Sequence, residues 1–159
     1  MKNIFEIKRF YIIIFIISLL SLLIALYIEF FLGYPPCKLC IYQRIPYLIA
    51  IFITFLGISY SKNLFWLYAL LLVFFSSFLL SGYHFGIEQE VFKEFSGCTG
   101  NSLDIIDKSE LLKILNSEVN SCKNVDFQIF GLSLATINFL LSFIIFILVV
   151  KVIKNEKNR

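Results

Sequence analysis

Residues 10–32 read FYIIIFIISLLSLLIALYIEFFL, a stretch of 23 residues in which Glu29 is the one charged side chain. A helix needs about 20 predominantly apolar residues to cross the hydrocarbon core of a bilayer. This run meets that length, and further runs follow at about residues 45–60, 64–83 and 129–150. The second is the shortest and reaches full length if extended back toward Tyr42. Backbone amides and carbonyls in lipid must be bonded within the segment, so uninterrupted apolar runs specify helices rather than barrel strands. The first run exceeds the apolar region of a secretory leader, about 7–15 residues, and no small-x-small cleavage site follows it. It is expected to be a retained helix.

Composition agrees. Of 159 residues 59% are hydrophobic, and the mean hydropathy is +0.86. A soluble domain of this size does not need so much apolar residue, so the bilayer is the solvent for most of the chain. The expected fold is an all-α membrane protein, one four-helix transmembrane bundle over residues 1–159, with outer loops at about 33–44 and 84–128. No internal repeat or low-complexity linker divides it. Tyr34, Pro35 and Pro36 are expected to end the first helix, because proline disfavours helical geometry in the residue before it. Pro46 is expected in the first turn of the second helix, where its missing N–H costs nothing. Asn63 is the expected cap of the third.

Lys2, Lys8, Arg9, Lys62, Lys151, Lys154, Lys157 and Arg159 are eight of the 14 Lys and Arg residues, and they crowd the short segments on one side. The other six are spread over the two longer loops. The positive-inside rule then places both termini in the cytoplasm. All four cysteines, Cys37, Cys40, Cys98 and Cys122, fall on the opposite side, the compartment in which disulfides persist. Charge bias and cysteine placement are independent signals. The net charge of +3 mostly reflects the cytoplasmic ends and implies no nucleic-acid partner.

Cys37-Lys38-Leu39-Cys40 lies between two apolar runs. The CxxC spacing brings two sulfurs within bonding range, and a helix N-terminus beside them stabilises a thiolate. Cys40 is read as immediately preceding the second helix, and Arg44 as sharing its face if helical geometry already holds there. Arg44 is a cation able to lower a thiol pKa or hold a polar ligand. A structural disulfide and half a zinc site are the competing readings, but zinc usually needs a second close ligand pair. Cys98 and Cys122 stand in the long polar loop, where a bond between them would also staple a large loop. Two pairs in so small a chain favour a dithiol relay. Residues 102–116 have helical spacing, with Ile105, Leu112, Leu115 and Val119 near one face, widened by Leu111 and Ile114. Such a stripe either lies on the membrane surface or packs onto the loop's own neighbours.

No glycine-rich nucleotide fingerprint and no C-x-x-C-H haem motif occurs. A lipid-soluble quinone is the acceptor available at a bilayer edge. His84 has two readings, a hydrogen-bond partner for a quinone oxygen or a solvated helix end. Glu29 likewise either reaches the interface or pairs with a basic group.

The segment Pro36-Cys37-Lys38-Leu39-Cys40-Ile41-Tyr42-Gln43-Arg44 resembles the signature of the DsbB family of membrane disulfide-bond formation proteins. Four helices, one histidine after the third, a long outer loop with two cysteines, and Phe130-Gly131-Leu132-Ser133 opening the fourth extend the resemblance over nearly the whole chain. The resemblance implies a bacterial inner-membrane enzyme that reoxidises a periplasmic, thioredoxin-like DsbA-type partner and passes electrons to the membrane quinone pool, ubiquinone or menaquinone. It implies that Cys98–Cys122 is attacked by the partner, that Cys122 then attacks Cys37, and that Cys40 is released as the thiolate engaging the quinone. Arg44 would hold the quinone, with His84 near it. Vitamin K epoxide reductases are less similar, since their loop cysteines precede the CxxC. A close variant is an oxidase dedicated to a specialised partner; a different class is a tetraspan adaptor with purely structural disulfides.

Overall fold

A computed structural model of the chain describes residues 2–61, 63–93, 128–129 and 131–158. Cys98, Cys122 and the helical pattern over 102–116 lie outside the described residues. Four helices carry the structure: α1 (Lys2–Phe30), α2 (Lys38–Ser59), α3 (Phe65–Glu88) and α4 (Leu134–Lys157). A two-stranded hairpin, β1 (Gln128–Ile129) and β2 (Leu132–Ser133), pairs Gln128 with Ser133 and leads directly into α4. Each helix is long and apolar enough to cross a membrane, and the protein is a four-helix, multi-pass membrane bundle.

The bundle is built by neighbours: α1 packs on α2, α2 on α3, and α3 on α4. Its core joins Tyr11 and Ile14 of α1, Tyr47 and Ala50 of α2, Leu67, Leu70 and Phe74 of α3, and Ile145 and Val149 of α4. Large apolar side chains such as Phe30, Phe52, Phe55 and Leu72 point outward. In water these would be costly; in lipid they meet their own kind.

Helix boundaries depart from expectation in ways that matter for the site. α2 starts at Lys38 rather than near residue 45, with Cys37 as its N-cap, so Cys40 lies inside the first turn instead of before the helix. Pro46 is therefore a buried interior residue of α2, not a first-turn one. Its ring nitrogen has no proton to give the carbonyl one turn back. α3 runs on to Glu88, which makes His84 helical. α1 ends at Phe30, before the prolines: Gly33 takes the left-handed conformation at φ +74°, and the Tyr34 amide turns back to the Ile28 carbonyl at 3.3 Å. Asn63 does cap α3, from one residue before the N-cap position, with Oδ1 accepting the Phe65 amide at 2.9 Å.

Candidate active site

The site forms where the start of α2 meets the end of α3. As N-cap of α2, Cys37 accepts the Cys40 amide on its sulfur at 3.3 Å, a role that serine or aspartate oxygen usually fills. One helical turn brings Cys40 Sγ to 3.0 Å from Cys37 Sγ, with the Cys37 S–H donating. Both cysteines are in the thiol rather than the disulfide form in this structure. Leu39 and Ile87 close over them, with Leu80 and Tyr83 alongside, so Cys37 is buried while Cys40 stays partly open. The hydrogen bond to Cys40 first, and burial second, push the Cys37 thiol up to about 12, against a smaller downward pull from His84.

His84 enters from α3. Its Nε2 lies 3.7 Å from Cys37 Sγ, and the donor atoms of Cys37, Cys40 and His84 all fall within 4.8 Å of one another. At 2% exposure His84 is a buried member of the site, which removes the reading of it as a solvated helix end. The same three groups are, by donor type, able to hold a soft metal ion.

Arg44 follows Cys40 by one turn of α2 and so shares its helix face, while its guanidinium reaches across to α1. Its Nη1 is 2.5 Å from Glu29 Oε2 of α1, both side chains about a quarter exposed or less. Glu29 thus pairs with a basic group. Gln43, the neighbour of Arg44, lies about 100° round the helix and turns inward instead. Its amide nitrogen meets His84 Nδ1 at 2.9 Å, and its oxygen accepts Asn138 Nδ2 of α4 at 2.9 Å.

The sequence reading gave no role to Gln43, Glu88, Asn138 or Ser133, although Gln43 and Ser133 stand in the motifs it quoted. Glu88 Oε1 stands 3.8 Å from His84 Nε2, while Glu88 Oε2 accepts the hydroxyl of Ser133, the N-cap of α4. A periodic signal was available. Gln43, Tyr47 and Thr54 on α2, and Ser77, Ser81 and His84 on α3, recur at helical spacing and are buried, with partly buried Glu88 one turn further on. Polar groups in a membrane helix face the bundle interior, so these stripes mark the inner seam.

Chemically the arrangement is a half-buried dithiol with an imidazole against it, beside a membrane-edge cation. Over residues 7–152 the chain matches the family described as disulfide bond formation protein DsbB. It is 29% identical over 132 residues to an uncharacterized protein of Rickettsia prowazekii (strain Madrid E), an overlap covering 79% of this chain and 76% of that protein. It is 26% identical over 119 residues to disulfide bond formation protein B of Xylella fastidiosa (strain Temecula1), covering 69% and 68% respectively. The family match runs through all four helices and takes in the dithiol; the chain belongs to the DsbB family, whose general activity is disulfide oxidoreduction.

Proposed function

We propose that the chain is a thiol:quinone oxidoreductase of the bacterial inner membrane, with both termini in the cytoplasm and its cysteines on the periplasmic side. It reoxidises a thioredoxin-like, DsbA-type dithiol protein. The observation that carries this reading is the convergence of Cys37, Cys40 and His84 at one end of the bundle. Nothing about purely stapling disulfides calls for a buried imidazole against a thiol pair.

The order of exchange is the one that the family resemblance implies. The partner's two thiols reduce Cys98–Cys122 and depart as a disulfide. The Cys122 thiolate attacks Cys37 of the Cys37–Cys40 disulfide, and Cys40 leaves carrying the electron pair. Cys98 then attacks Cys122 in the Cys37–Cys122 mixed disulfide, which restores the loop bond and frees Cys37. Reclosing Cys37–Cys40 releases two electrons and two protons. A bound quinone supplies the acceptor for both.

The residues present fit such a group. Cys40 is the partly open sulfur, and Ile41 and Tyr42 beside it are exposed on the outside of the bundle. Arg44 and His84 are the donors that would hold quinone oxygens. Arg44, restrained by Glu29, contributes a fixed positive charge. A short-chain quinone, a reduced thioredoxin-like carrier and the purified protein test the reading. Quinone loss is expected with wild type, none with Cys40→Ser, and a KM for quinone raised about tenfold with little change in kcat for Arg44→Ala. Quinone loss that persists in Cys40→Ser, or none in wild type, would remove the proposal.

A further inference from the structure

Which ring nitrogen of His84 carries the proton decides whether the ring gives or only receives a hydrogen bond at the sulfurs. Nε2 is the atom facing the chemistry, 3.7 Å from Cys37 Sγ and 3.8 Å from Glu88 Oε1. Nδ1 faces the bundle interior, 2.9 Å from Gln43 Nε2. We propose that Gln43, held by Asn138, which Tyr47 in turn orients, is a positioning residue that fixes the His84 proton on Nε2.

The orientation is set three side chains away. The Tyr47 hydroxyl donates to Asn138 Oδ1, and the Ser142 hydroxyl approaches the same oxygen. Asn138 therefore turns its oxygen to the phenol. Ser142 lies 3.4 Å from both groups and 2.9 Å from the Ser77 hydroxyl, which anchors the far end of the chain of bonds on α3. With its oxygen so engaged, Asn138 gives its amide nitrogen to Gln43 Oε1 at 2.9 Å. An amide has one acceptor end and one donor end, so Gln43 presents its NH2 group to His84. A donor there is satisfied only by an unprotonated Nδ1, and the proton of a neutral ring then sits on Nε2. Tyr47 and Gln43 are buried, so water does not compete for these bonds.

The functional side of this inference rests on the reading given under Proposed function. A ring protonated on Nε2 donates toward charge forming on a sulfur or on a quinone oxygen. A neutral ring protonated on Nδ1 offers that charge nothing. If the amides serve only to hold α2, α3 and α4 together, cutting them changes stability and leaves the proton where it was.

His84 is the one histidine in the chain, so nitrogen-15 histidine labelling reports on it alone. The spectrum is taken at neutral pH on reduced, full-length protein in nanodiscs, without carrier or quinone. Wild type is expected to give a protonated, pyrrole-type Nε2 and an unprotonated, pyridine-type Nδ1; this point needs no variant. Gln43→Glu, which sets an acceptor where the amide N–H stood, is expected to place a proton on Nδ1. Asn138→Leu, which frees the Gln43 amide to rotate, is expected to populate both tautomers and to slow quinone reduction about fivefold. A wild-type proton on Nδ1 overturns the inference. So does a bare Nδ1 in Gln43→Glu, or an Asn138→Leu spectrum identical to wild type. Tautomers that move as expected while quinone reduction keeps its wild-type rate uphold the positioning of the proton and remove His84 from the quinone step instead.

Discussion

Cys37 donates its S–H to Cys40 across 3.0 Å, and that bond together with burial holds its thiol near 12 rather than at the ordinary 9.0. A negative charge forming on Cys40 is therefore met by a proton donor beside it, while Cys37 itself stays a poor nucleophile until its proton is drawn off. The sign of the pH dependence follows. With the folded value raised, the preference for protonated Cys37 is intact below about pH 9 and is lost as pH climbs toward 12. Alkylation of Cys37 in the reduced protein, resolved by mass spectrometry, should be slow at neutral pH. It should still be rising by about tenfold per pH unit at about pH 10. A rate that levels off near pH 9 would contradict the geometry. At this scale the CxxC, Arg44 and His84 were legible in the sequence because their chemistry is rare among apolar neighbours. Gln43 was not. It stands in the quoted signature, yet only the fold reveals that it turns toward His84 while Arg44, next to it, turns toward α1.

At the scale of elements, four spans were legible because lipid leaves a chain few other options, whereas the limits of those spans were not. Lys38, Gln43 and Arg44 interrupt the apolar pattern at the start of α2, so the run alone suggests a helix that begins after them. The Cys37 cap and the inward-facing Gln43 carry the helix back to Lys38. Packing between α1 and α2 yields a separate prediction. A Cβ added at Gly57 of α2 would lie 2.7 Å from Cε1 of Tyr11, a ring with no exposure. Gly57→Ala should lower stability by about 1–3 kcal/mol, read by unfolding in mixed micelles. Activity per folded molecule should be unchanged, since Gly57 lies near the end of α2 opposite Cys37. Among the described residues, the Tyr11 hydroxyl is buried without a hydrogen-bond partner. Tyr11→Phe should therefore be neutral or stabilising, because it removes a buried polar group that gains nothing in return. A large loss of stability in Tyr11→Phe would indicate a bond that the packing does not provide.

For the whole molecule, the four helices set one thiol pair at one end of the bundle, and the proposed exchange with a periplasmic carrier needs that end to face the periplasm. A membrane-impermeant maleimide applied to intact spheroplasts should label reduced Cys37 or Cys40; labelling only after lysis would reverse the orientation. The family was legible from nine residues, but the seam of polar side chains from Ser77 to His84 needed the fold to bring α2, α3 and α4 together. On the proposed function, electrons collected by this pair leave through quinone. The most direct test is the redox state of Cys37 and Cys40, fixed by acid quenching and thiol trapping, in cells with and without quinone synthesis. The pair should be oxidised when quinone is present and should accumulate as the dithiol when quinone is depleted. A pair that remains oxidised in quinone-depleted cells would contradict the account.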